Sequence, residues 1–166
     1  MNIKVLIADS AEAKSISAGA FVVEQANERP IQCQKSFGLV SGKRVMALVP
    51  AFVPNSKSQS PAILHAGLAS CYEHCIMSAV LAGASTIVVK PLGVGKRINE
   101  VFENGQLIDH DIWGDLFWTQ AKTSMAAKSA VQNAVSRADF PEDVNVIFIV
   151  PKEAFDDWDS AMQFSC

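Results

Sequence analysis

Charge is scarce in this chain. Charged residues make up 19% of its 166 residues, with a formal balance of −3. That balance removes the electrostatic basis for a nucleic-acid-binding or anionic-membrane-binding surface. The nearest approach to a basic patch is Lys90, Lys96 and Arg97. Long apolar runs are missing as well. The longest, Ala66 to Gly83, is interrupted by Glu73 and His74 and is no membrane span. The amino terminus carries no cationic segment, long apolar core or cleavage site, so no secretory leader is expected. The four cysteines, Cys33, Cys71, Cys75 and Cys166, are irregularly spaced, and reduced thiols in a cytoplasm are the expected state. No Walker pattern and no G-x-S-x-G elbow occur, and the G-x-G-x-x-G spacing fails because position 98 is Ile98.

What is present is a globular composition, 49% apolar, in a length that suits one domain over residues 1–166. Ile3 to Ile7 alternates as a first strand, and Ser10 is placed to cap a short helix over Ala11 to Ser15. Ala18 to Val23 reads as a second strand, ending in Glu24-Gln25-Ala26-Asn27. Phe37 to Val40 and Arg44 to Val49, joined by Ser41-Gly42-Lys43, read as a hairpin. The proline- and serine-rich stretch from Pro50 to Pro61 reads as an exposed loop. Ala62 to His65 reads as a strand leading into a helix from Leu68 to Ala82, which Gly83 ends.

Arg97 to Phe117 reads as a long irregular excursion, of the kind that forms lids and binding loops. A helix over Trp118 to Arg137, a strand over Val144 to Val150 and a helix opened by Pro151 complete the chain. The order predicts a three-layer α/β/α sandwich with a mixed central sheet, parallel in its second half.

The chain is organised around Ser85 to Lys96. Ile87, Val88 and Val89 are a continuous β-branched run, as in a strand buried on both faces near the middle of a parallel sheet. Pro91 ends the strand, since it has no N–H to donate. Leu92-Gly93-Val94-Gly95 then forms a turn whose backbone can approach a ligand closely, where open α/β sheets bind ligands. As a phosphate cradle the turn would use converging N–H groups, with Lys96 and Arg97 adding charge. As a plain strand-to-loop turn it would do none of this.

Other constellations have plainer readings beside the functional one. Cys71, His74 and Cys75 share a helical face at metal-ligand spacing, yet Cys71 and Cys75 also fall on the apolar stripe, where cysteine behaves as a small hydrophobe. No metal site and no cofactor are therefore expected. His65 with Cys33 makes a nucleophile pair or a buried, hydrogen-bonded histidine. Asp109-His110-Asp111 is a general-base cluster or a solvated loop. Trp113, Phe117 and Trp118 stack on a ligand ring or anchor the excursion to the core.

With these residues in view the chain resembles the macro domain, the ADP-ribose-binding module. Ile3 to Ser10 resembles the family's first strand and the motif after it, with Asp9 at the position that accepts a hydrogen bond from the adenine amino group. Val22 to Asn27 resembles its Val-Asn-Ala-Ala-Asn strand, with Asn27 matching the asparagine that contacts the distal ribose. Ile63-Leu64-His65 and Cys71-Tyr72 resemble the strand and helix that follow. Pro91-Leu92-Gly93-Val94-Gly95 is similar to a Pro-Leu-Gly-x-Gly diphosphate loop.

The resemblance implies a macro-like fold binding ADP-ribose or a related nucleotide. Adenine would lie near Asp9, the diphosphate on the amides of Leu92, Gly93, Val94, Gly95 and Lys96, and the distal ribose near Asn27. If the chain is an enzyme, the resemblance implies hydrolysis of an ADP-ribosyl ester or glycosidic bond, with Asn27 positioning ribose and water. The chain departs from the family in three places. Placing Asp9 in the motif requires extra residues before the second strand. Glu28 to Phe37 holds no glycine where a second glycine-rich loop would stand, and Glu24 replaces the first asparagine. These departures keep open a second reading, a non-enzymatic module whose Arg97 to Trp118 excursion docks a protein partner.

Overall fold

The computed structural model describes residues 1–25, 37–49, 61–94, 101–103, 106–108 and 119–163. In chain order these form β1 (Asn2–Ile7), α1 (Ala11–Ser17), β2 (Phe21–Gln25), β3 (Phe37–Ser41), β4 (Arg44–Leu48), α2 (Pro61–Leu81) and β5 (Thr86–Val89). There follow β6 (Val101–Glu103), β7 (Gln106–Ile108), α3 (Gln120–Val135), β8 (Asn145–Val150) and α4 (Phe155–Met162), the last entered through a 3-10 turn at Lys152–Ala154. The main sheet has the order β1-β8-β5-β2-β4-β3. Its architecture is a three-layer α/β/α sandwich, as the element order predicts. Among the described residues no helix is long and apolar enough to cross a membrane.

β5 occupies the interior of the sheet, parallel to β8 on one side and to β2 on the other. Ile87 and Val89 face one helical layer and Val88 the other, all three buried. This two-sided burial is what selects an unbroken β-branched run over an alternating one. Parallel pairing extends further than the second half of the chain. β1 runs parallel to β8 and β2 to β4, and only the edge strand β3 is antiparallel. The β3–β4 hairpin forms across Ser41-Gly42-Lys43, with Gly42 at φ 60, a value that glycine adopts without a Cβ penalty.

α2, α3 and α4 cover one face of the sheet. Leu68, Tyr72, Cys75 and Ile76 of α2 pack with Ala126, Ala127, Ala130 and Val131 of α3 over Val23, Val45, Ile87, Val89 and Phe148. The indole of Trp158 in α4 closes this core, 5.2 Å from the Phe148 ring and 6.4 Å from the Tyr72 ring in centroid separation. The other face carries a smaller cluster, Leu6, Ala13, Ala20, Val88, Ile147 and Ile149, beneath the seven-residue α1. Ser10 caps α1 through its Oγ, which accepts from the Ala13 amide. Thr119 does the same for α3, accepting from the amide of Lys122.

Three sequence expectations are corrected. Ala62 to His65 is not a strand: it is the first part of α2, which begins at Pro61, a residue preorganised for the first turn of a helix. The excursion after Arg97 is not wholly irregular, since β6 and β7 pair antiparallel within it. Pro151 stands one place before the 3-10 turn rather than inside a helix. The end of α2 follows expectation. Gly83, at φ 95, lets its own N–H reach the Val80 carbonyl and that of Ala84 the Ala79 carbonyl, closing the last turn.

Candidate functional site

β1, β8, β5, β2 and β4 are parallel, so their carboxyl ends share one edge of the sheet. Asp9, Pro151, Lys90 to Val94 and Glu24-Gln25 therefore gather along that edge. In sheets of this kind that edge is the one that binds ligands.

At its centre the chain leaves β5 through Lys90, whose amide still bonds to the Val23 carbonyl of β2 at 3.0 Å. Beyond Pro91 the backbone turns toward the α2 and α3 layer. The Leu92 N–H donates to the Tyr72 Oη at 2.7 Å, and the Thr123 hydroxyl donates to the Leu92 carbonyl at 2.7 Å. With that proton committed, the hydrogen bond between the two hydroxyls has Tyr72 as donor and Thr123 as acceptor. The result is a closed ring joining α2, α3 and the strand end. Leu92, Tyr72 and Thr123 are each fully buried, so the ring satisfies every polar group it contains. Burial pushes the Tyr72 phenol well above its usual pKa, against the opposing pull of the hydrogen bond that the Leu92 amide donates to it.

The next amide is also engaged. Gly93, at φ 82, donates its N–H to the Gln25 Oε1 at 2.7 Å. Two of the five amides named for a diphosphate, those of Leu92 and Gly93, thus end on side chains of this protein. Val94 is 38% exposed, and its backbone takes part in an isolated β-bridge. Gly95 and Lys96 lie outside the described residues, as does Asn27. Asp9 is exposed in the turn after β1, which is tied back by the amide and hydroxyl of Ser10, both donating to the Ile7 carbonyl.

Glu24 points to the opposite face of the sheet from Gln25, because successive strand residues alternate. It lies 2.8 Å from the guanidinium of Arg44 on β4 and 3.4 Å from the ammonium of Lys90. The carboxylate is therefore flanked by two cations, which offset the repulsion it would exert on a neighbouring anion.

The remaining candidates separate. His65 lies within α2, and its Nε2 is 3.2 Å from the Ser129 Oγ of α3. Cys71 and Cys75 are buried while His74 is exposed, so the three do not share a face, and among the described residues no His, Cys, Asp and Glu group could hold a metal ion. A hydrogen bond with Cys75, and burial after it, push the Cys71 thiol well above its usual pKa. Cys33, Arg97, the Asp109-His110-Asp111 cluster, Trp113, Phe117 and Trp118 lie outside the described residues.

Sequence reasoning missed Gln25 and Thr123. A lone threonine among the buried alanines of α3 was the available signal, since a buried hydroxyl needs a partner. The chain matches no family model, and it matches no curated protein.

Proposed function

We propose that this chain is a macro-like domain that binds ADP-ribose or a related nucleotide along the carboxyl edge of its sheet. The observation that carries this reading is the clamped turn at Pro91-Leu92-Gly93. A central parallel strand runs into a proline, the two residues after that proline are fixed by Tyr72, Thr123 and Gln25, and the next residue, Val94, is exposed. Fixing Leu92 and Gly93 in this way lowers the ordering cost of binding at the strand end. With the Leu92 and Gly93 amides engaged, the diphosphate falls to those of Val94, Gly95 and Lys96, adenine to the side of Asp9 and the distal ribose to Asn27. The Arg44 and Lys90 contacts to Glu24 answer the one electrostatic objection to an anion here. Should the domain turn over its ligand, the reaction in keeping with this placement is hydrolysis of an ADP-ribosyl ester or glycosidic bond, with Asn27 orienting ribose and water.

The engaged Gly93 amide favours a second reading, a non-enzymatic interaction module that keeps the scaffold without the nucleotide. Thermal melting with ADP-ribose separates the two. Ligand at about a hundred times its dissociation constant adds about 2.7 kcal/mol, a clear upward shift in Tm. Val94→Glu, which sets a carboxylate beside the remaining amides at an exposed position, should abolish the shift. No shift at millimolar ADP-ribose sinks the nucleotide reading.

A further inference from the structure

We propose that the cavity between α1 and the sheet is a second binding site, for a small organic anion: an apolar ring or chain carrying a single carboxylate or phosphate. The cavity measures about 470 Å³ and opens to solvent along the exposed Ala8, Lys14, Ala18 and Lys90, a volume within the range of small-molecule sites. Ala8, Ala13, Ala18 and Ile149 give it an apolar lining, and Lys14 and Lys90 line it as well, each carrying an ammonium on a flexible stem. The Ser17 hydroxyl on the same wall is already donated to the Ala13 carbonyl, so the polar contacts available to a ligand come from the lysines.

The site adjoins the proposed nucleotide position at Ala8, next to Asp9, and at Lys90, and the strand end separates it only from the Leu92-Gly93 turn. Alternation along β5 sends Val88 and Lys90 toward α1, whereas Leu92 and Gly93 are pulled toward α2, α3 and Gln25 on the other side.

Charge decides the ligand class. Among the described residues Lys14 has no ion pair. Lys90 reaches Glu24 only at 3.4 Å, while Glu24 keeps a shorter contact, 2.8 Å, to Arg44. Lys90 can therefore swing to a ligand without leaving that carboxylate unpartnered. Two like charges at one cavity repel, and an anion between them turns that repulsion into attraction. An ammonium binds as a point charge, which suits carboxylate and phosphate oxygens alike. The apolar lining adds a requirement that a bare hydrated ion cannot meet, because only an apolar body gains from displacing water there.

Titrations with phenyl phosphate, benzoate, inorganic phosphate and benzyl alcohol, followed by NMR of the Ile149, Ala8 and Ala13 methyl groups, test the site. Saturable shifts are expected with phenyl phosphate, benzoate or both, the two arms separating a phosphate from a carboxylate preference. Neither inorganic phosphate nor benzyl alcohol should shift the methyls at the same concentration. Lys14→Gln and Lys90→Gln should each weaken binding about tenfold, the loss expected for one charge-assisted contact, with the fold confirmed by an unchanged methyl spectrum without ligand. Absence of a saturable shift at millimolar probe overturns the proposal. So does binding that survives both lysine variants, or shifts that inorganic phosphate reproduces. ADP-ribose is titrated alongside and read at the Val94 amide: shifts there that leave the Ile149 and Ala13 methyls unmoved separate the two sites, whereas ADP-ribose that competes phenyl phosphate or benzoate off those methyls makes the cavity part of the nucleotide position and overturns the proposal.

Discussion

Gln25 holds the amide of Gly93: its Oε1 accepts that N–H at 2.7 Å, joining the end of β2 to the turn that follows β5. A neutral side-chain oxygen thereby takes the place that an anionic ligand oxygen would take at the same amide. Gln25→Ala should speed hydrogen exchange at the Gly93 amide and lower stability by about 1 kcal/mol, the usual net worth of one hydrogen bond. If ADP-ribose binds, the variant should bind it more tightly per molecule folded, since one more amide is available. Unchanged exchange at Gly93 would show that the bond does not persist in solution.

Tyr72, Thr123 and Leu92 form one unit, not three contacts. Tyr72→Phe leaves the Leu92 N–H buried without an acceptor, at a cost of about 1–3 kcal/mol, and Thr123→Val strands the Leu92 carbonyl at a similar cost. The double variant should lose less than the sum of the two, because each single change already opens the ring. Urea denaturation of the four proteins measures this. Strict additivity would mean that the hydroxyls act independently.

Tyr72 is also the single tyrosine of the chain, so its ionisation can be watched alone. Burial raises the phenol pKa in the folded protein. A raised folded pKa means that the unfolded chain releases the proton first, so stability is intact below about pH 10, the unperturbed value, and falls as pH rises beyond it. Phenolate absorbance should therefore appear together with alkaline unfolding and not before it. Tyr72→Phe should flatten this part of the pH dependence. Phenolate signal from a still-folded protein would contradict the buried ring.

Gly83 and Gly19 separate space from conformation. A Cβ at either meets nothing within 4 Å, but Gly83 sits at φ 95 and Gly19 lies outside that region. Gly83→Ala should destabilise by about 1 kcal/mol or more, and Gly19→Ala should be neutral or stabilise by about 0.4–1 kcal/mol through the unfolded chain. Equal shifts in Tm would refute the conformational argument.

The Glu24 cluster should matter little to folding. Arg44 and Lys90 are 69% and 52% exposed on their side chains, and pairs that water reaches contribute about 0–1 kcal/mol. Glu24→Gln should leave urea stability within that range and raise affinity for any anion on this edge. A larger loss of stability would mean that the cluster is a structural element.

The chain's own residues determine its local elements wherever one physical rule governs them. Three successive β-branched residues before Pro91 can only be satisfied inside a sheet covered on both faces, and β5 is found there. Gly42 and Gly83 mark turns because each sits in a backbone region that other residues avoid. Ala62 to His65 shows where that reach ends. A short apolar run has no period long enough to separate strand from helix, and the choice fell to continuity with the rest of α2 beyond it.

The parallel placement of β1, β2 and β4, and with it the gathering of Asp9, Glu24 and Val94 on one edge, depends on pairings between distant segments that no local pattern encodes. The same holds for the clamp. Tyr72 and Thr123 are 51 positions apart, and on their own helices they read as an aromatic on an apolar stripe and one small polar residue. Only close packing of α2 on α3 over the end of β5 turns them into partners, because a buried hydroxyl must find its hydrogen bond among whatever the tertiary fold brings within reach.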